Sequence, residues 1–233
     1  MAIAGLTTFN RVYVWEFPVR MYHWVNAICV VVLIVTGFII GRPTTIQYAD
    51  EAYQQYWFGT VRFAHFVSSF IYLFNQLVRI YWGFVGNRYA RWDNFIPVRK
   101  AQFKEVAETL RVDILQTQAR GTISLGHNAL AGFIYFMSFL VFLFQAFTGL
   151  ALYSGMSKWL FPRMFNWAVP LMGGDFAVRQ WHHMGMWFFV VFIITHVYLV
   201  FYHDYVEGRA TASSMVGGWK FEREDVVRKA EKR

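Results

Sequence analysis

Four apolar runs constrain this chain more than any other feature. They cover about 23–40, 63–82, 130–153 and 184–202. Each is long enough to cross roughly 30 Å of hydrocarbon as a helix. Lipid offers the backbone no hydrogen-bond partner, so an isolated segment of this kind must satisfy its own amides and carbonyls by coiling. Charged residues make up only 15% of the 233-residue chain, against about 25% in an ordinary soluble domain. The runs predict an all-α membrane protein, a four-transmembrane-helix bundle forming a single domain over residues 1–233.

The segments between the runs set the orientation. Counting Lys and Arg, the N-terminus, the loop between the second and third runs and the C-terminal tail hold 16 together, while the two opposite loops hold 5 (Arg42, Arg62, Lys158, Arg163 and Arg179). The excess of positive charge marks the cytoplasmic side, so both termini are expected in the cytoplasm. The net charge of +8 is therefore matched to anionic lipid headgroups rather than to nucleic acid. In the central loop, Phe103, Val106, Ala107, Leu110 and Ile114 recur at helical spacing after Pro97, predicting an amphipathic surface helix at about 98–118. The N-terminus lacks the short apolar core and cleavage site of a signal peptide.

Cysteine usage excludes several chemistries. Cys29 is the single cysteine, so no disulfide can form within the chain. No Cys-x-x-Cys-His is present for covalent haem attachment.

The histidines carry the functional signal. All seven (His23, His65, His127, His182, His183, His196 and His203) lie in or near the apolar runs, where an ionisable side chain is costly and marks a functional site by default. His182 and His196 are fourteen residues apart. On a helix this is about 21 Å of rise and about 40° short of four full turns. They share one face, His182 toward the outer surface and His196 toward the inner. His65, at the outer start of the second run, matches the depth of His182, and His23, at the inner start of the first, matches His196. Two depth-matched pairs predict two haems b, each clamped between helices by one imidazole from either side. Zinc fits less well, because it wants three or four ligands gathered at one place.

Other residues fit around these pairs. Arg20, Arg62 and Arg179 each precede a paired histidine by three residues and are possible partners for haem propionates; interfacial snorkelling is their simpler role. Gly37, fourteen residues after His23, would let the outer haem plane approach the first helix, or simply serve helix packing. His127, before the third run on the cytoplasmic side, either lines a quinone pocket near the inner haem or simply sits at the interface. His183 and His203 are left unassigned.

The segments FPVRMYHW at 17–24, GFIIGRP at 37–43, RIYWGFVGNRYAR at 79–91, GHN at 126–128, and WHHMGMW with THVY within 181–198 resemble the b-type cytochrome subunit of membrane-bound nickel–iron hydrogenases, and the resemblance covers nearly the whole chain. The formate dehydrogenase cytochrome b subunit is a related pattern. The resemblance implies a multi-pass protein of the bacterial cytoplasmic (inner) membrane, anchoring a periplasm-facing hydrogenase through its small iron–sulfur subunit and, through that, the nickel–iron large subunit. Electrons would pass from the iron–sulfur clusters to the outer haem at His65 and His182, then to the inner haem at His23 and His196, and on to menaquinone or ubiquinone. Asn128, with His127, would lie at the quinone pocket. One cysteine cannot furnish cluster ligands, so the resemblance implies an electron-transfer subunit that does not itself activate hydrogen, with quinone reduction expected beside the inner haem.

Two other readings remain. A different periplasmic donor, such as formate dehydrogenase, would use the same haem pairs. A small ion or metal transporter would place acidic residues and helix breaks in mid-membrane, and the apolar runs contain no Asp, Glu or Pro.

Overall fold

The computed structural model describes residues 9–43, 51, 55–92, 106–107, 129–207, 210–224 and 227–228. The elements run β1 (Phe9–Tyr13), α1 (Phe17–Gly41), α2 (Trp57–Val85), α3 (Ala129–Ser154), α4 (Leu160–Arg163), α5 (Ala168–Leu171), α6 (Asp175–Glu207), α7 (Thr211–Gly217) and β2 (Trp219–Arg223). The surface helix expected at about 98–118 lies outside the described residues except for 106–107, which are helical.

Three of the four long helices are long and apolar enough to cross a membrane, over Phe17–Gly41, Leu130–Ser154 and Asp175–Tyr202. Their outward faces carry apolar side chains such as Ile28, Leu140, Val191 and Ile194, all exposed, as a lipid-facing surface requires. The fourth, α2, has 29 residues but also carries Ser68, Ser69, Asn75, Gln76 and Arg79. Its polar groups turn toward protein. Gln76 and Arg79 are buried, and the Asn75 amide donates to Asn26 Oδ1 on α1 at 2.7 Å. Polar side chains on a long, largely apolar helix are accommodated when they face other helices in this way.

All four helices extend past the expected apolar runs. The largest difference is at α6, which begins at Asp175 rather than near 184, so His182 stands two turns inside a helix. Hydropathy marks only the apolar part of a helix. Its first turns, with Asp175 and Arg179, are too polar to register.

The chain forms two compact units. One comprises residues 24–77 and 138–195, the other 1–23, 78–137 and 196–233. The first is organised around Cys29, Tyr72, Phe142 and Phe189, one buried residue from each of α1, α2, α3 and α6, with the Tyr72 and Phe142 rings edge-to-face at 4.4 Å. A second cluster, Ala151, Ala168 and Val178, seats the short α5 against α3 and α6.

In the other unit, β1 and β2 pair antiparallel, with Phe9 opposite Arg223 and Tyr13 opposite Trp219. This two-stranded sheet adds a β element to the all-α expectation. The Val14 and Trp15 amides both donate to Gly218 O. Gly218 has φ +85°, and a Cβ there would meet Tyr13 Cε2 at 2.6 Å and Trp15 O at 2.8 Å, so only glycine closes this turn. The Trp15 indole donates to Ser214 Oγ at 3.2 Å. At the start of α1, Glu16 O accepts the Val19 and Arg20 amides, and Pro18 sits in the first turn, where its missing N–H costs nothing.

Candidate haem sites

The first site lies in the unit holding residues 24–77 and 138–195. His65 projects from α2 and His182 from α6, with ring centroids 6.5 Å apart and planes at 65°. Both are flanked by threonine. His65 Nδ1 lies 2.8 Å from Thr36 Oγ1 on α1, and His182 Nδ1 lies 2.8 Å from Thr148 Oγ1 on α3. The residue after each threonine is glycine. A Cβ on Gly149 would stand 3.3 Å from His182 Cε1, and one on Gly37 would stand 3.7 Å from His65 Cε1 and 3.4 Å from Met186 Sδ. The space around these groups is a cavity of about 930 Å³, lined among others by both histidines, both glycines, Arg62 and Arg179.

The second site lies in the other unit. His23, on α1, and His196, on α6, have ring centroids 6.3 Å apart and planes at 53°. Tyr135 of α3 sets its ring edge-on to His196 at 5.8 Å, with its hydroxyl 3.4 Å from His196 Nδ1. Arg20 packs its guanidinium over the Phe17 ring and donates to Val216 O.

Both separations suit a shared iron. Two imidazoles that bind one metal at about 2 Å, each with a ring radius of about 1.15 Å, hold their centroids roughly 6.3 Å apart. The cavity at the first site is within the range of about 300–1,000 Å³ typical of ligand pockets. Among the described residues, no group of three or more His, Cys, Asp or Glu gathers as a metal site. What the two sites offer instead is a pair of imidazoles each, a donor set that suits haem iron.

Relatives bear on the same point. The sequence pattern of prokaryotic cytochrome b561 matches residues 14–218. The chain belongs to the prokaryotic cytochrome b561 family. A b-type cytochrome holds haem b without covalent attachment, in keeping with the absence of a Cys-x-x-Cys-His segment. The chain is 42% identical to the probable Ni/Fe-hydrogenase B-type cytochrome subunit of Cupriavidus necator, over 94% of this chain and 91% of that protein. It is 41% identical to the protein of the same description from Azotobacter vinelandii, over 93% and 91%. It is 35% identical to the probable Ni/Fe-hydrogenase 1 B-type cytochrome subunit of Escherichia coli K12, over 89% and 90%. The resemblance carried by the histidine segments is borne out.

Around the four histidines, the other sequence-derived candidates fall unevenly. Arg62 donates to Met156 Sδ at 2.9 Å, and Arg179 forms an exposed ion pair with Asp175 at 2.7 Å; both line the cavity. His183 also lines it, packed between Phe38 and Trp187, with the Gly41 backbone beside its ring. His127 and Asn128 lie outside the described residues. Sequence reasoning singled out Gly37 but missed Thr36, Tyr135, Thr148 and Gly149. A signal for three of them was present: the dipeptide Thr-Gly stands at 36–37 and again at 148–149, late in the first and third runs.

Proposed function

We propose that this chain is the transmembrane electron-transfer subunit of a hydrogen:quinone oxidoreductase, anchoring a periplasm-facing nickel–iron hydrogenase and carrying electrons from its iron–sulfur clusters to membrane quinone. In this reading all four long helices cross the bacterial cytoplasmic membrane and both termini are cytoplasmic. His65 and His182 hold the outer haem b, and His23 and His196 hold the inner one. Bound haem supplies a one-electron carrier at each pair.

The chain's own residues bind and orient the two groups. The imidazoles of each pair would hold the haem iron between them. Arg62 and Arg179 offer charge to propionates at the outer level, and Arg20 at the inner. Asn128 and His127 belong to the quinone pocket. The nickel and iron–sulfur centres reside in the partner subunits, because Cys29 is the single thiol.

The observation that carries this reading is that two imidazole pairs, His65 of α2 with His182 of α6 and His23 of α1 with His196 of α6, each stand at a ring separation that suits one shared iron. The relatives, described as Ni/Fe-hydrogenase cytochrome subunits, favour hydrogen as the electron source. The test is to purify the native complex in mild detergent. Nickel should co-purify, and hydrogen gas should reduce the haems and then added quinone. Reduction by formate without nickel would assign the chain to a formate dehydrogenase instead. The absence of haem bands would leave the transporter reading.

A further inference from the structure

The hydroxyl groups at the His65–His182 site have a fixed direction. A threonine hydroxyl has one proton and two lone pairs. Thr36 Oγ1 lies 2.6 Å from Val32 O and Thr148 Oγ1 lies 2.9 Å from Phe144 O, each a carbonyl one turn back in the same helix. A carbonyl only accepts, so each hydroxyl spends its proton there. What remains toward the imidazole is an acceptor. The 2.8 Å contacts at Thr36 and Thr148 therefore require the proton on His65 Nδ1 and on His182 Nδ1. Nε2 of each ring is then left with its lone pair, the form in which imidazole binds a metal.

The arrangement occurs twice with the same atoms. A threonine on α1 serves a histidine on α2, and a threonine on α3 serves a histidine on α6. Both threonines are buried, at 8% and 0% exposure, which shields these bonds from competing water. Each is followed by the glycine that leaves room beside the ring it orients. The side chain that sets the ring and the position that clears space next to it are adjacent in sequence on both helices.

We propose that Thr36 and Thr148 are positioning residues for the outer haem, holding His65 and His182 in the Nδ1-protonated tautomer with Nε2 presented to iron. The inference rests on the haem reading above. A hydroxyl is a neutral acceptor, so it draws on the ring N–H less than a carboxylate would. The ligand keeps neutral imidazole character, and the threonines set how strongly it donates to iron.

The test uses the native complex carrying Thr36→Val or Thr148→Val, which keep the side-chain shape and remove the acceptor, alongside Thr36→Ser and Thr148→Ser, which restore it. The outer component is identified as the one missing from His65→Ala. In each valine variant its midpoint potential should move upward, its ferric low-spin EPR signal should shift, and its haem affinity should fall about 10- to 100-fold. The serine variants should return all three toward wild type. The inner component in the same sample should not move, which also reports that the variant has folded. An outer component unmoved in both valine variants, or one moved equally by serine and valine, would overturn this inference alone. A wild-type spectrum lacking any component that His65→Ala removes would overturn the haem reading as well.

Discussion

Gly149 lies so close to His182 that a Cβ added to it would stand 3.3 Å from the ring's Cε1. The close approach makes residue size at this position a direct probe of the site. Gly149→Ala forces the imidazole to give by a few tenths of an ångström, whereas Gly149→Leu fills the space beside it. We expect alanine to weaken the outer haem and leucine to abolish it. At Gly37 the nearest atoms, the Met186 sulfur at 3.4 Å and His65 Cε1 at 3.7 Å, leave more room. Gly37→Ala should be nearly silent and Gly37→Leu disruptive. Reduced-minus-oxidised spectra of the four variants would show a graded loss confined to one of two components.

A polar bond ties α1 to α2. The Asn75 amide donates to Asn26 Oδ1 at 2.7 Å, between helices that carry His23 and His65. Hydrogen bonds between membrane helices average about 0.6 kcal/mol and reach about 1.7 kcal/mol in double-mutant cycles. The cycle Asn26→Ala, Asn75→Ala should give a coupling energy of about 0.5–1.5 kcal/mol, read from unfolding in mixed micelles. A coupling near zero would mean that each amide finds another partner when its neighbour is removed.

The Glu16 carboxylate organises the start of α1. Its Oε2 accepts the Trp82 indole N–H at 2.9 Å and the Asn87 backbone N–H at 2.8 Å. Removing the acceptor leaves two donors to be satisfied anew, at about 1–3 kcal/mol. Glu16→Ala should destabilise by that amount and speed hydrogen exchange at Asn87. Glu16→Gln keeps an oxygen in place and should cost less. Equal effects of the two substitutions would assign the role to packing rather than hydrogen bonding.

Gly83 is closed to side chains by Trp92. A Cβ there would fall 2.2 Å from the indole Nε1. That indole donates to Ile80 O at 3.3 Å and lies under the Arg79 guanidinium, 4.7 Å from its ring centre. Gly83→Ala must expel the ring and break both contacts. The expected outcome is increased solvent exposure of Trp92, visible as a red-shifted, quencher-accessible fluorescence component absent from a Trp92→Phe background.

The sequence made the helices legible and left the sheet hidden, for one physical reason. Apolar length is a local signal, and lipid enforces helix wherever it occurs. The pairing of Phe9–Tyr13 with Trp219–Arg223 joins two five-residue segments from opposite ends of the chain, and neither has a pattern that names its partner. Arg11 and Lys220, counted only as charges that orient the protein, proved to be strand residues. Arg11 lies over the Trp219 ring at 4.1 Å, and Lys220 is buried beside Trp15. The histidine pairs were readable because helical rise and twist convert spacing into depth and face. The threonines were not, because a hydroxyl on an apolar helix carries no mark of which ring it will meet; only the repeated Thr-Gly hinted at a shared task.

The most direct test of the account is the haem content of the purified chain, measured as pyridine haemochrome against protein concentration. The account predicts two haems b per wild-type chain. It predicts one in His65→Ala or His182→Ala, one in His23→Ala or His196→Ala, and none when a histidine is lost from each pair. Wild-type protein without haem b, or with a haem content unchanged by substitution of these four histidines, would contradict it.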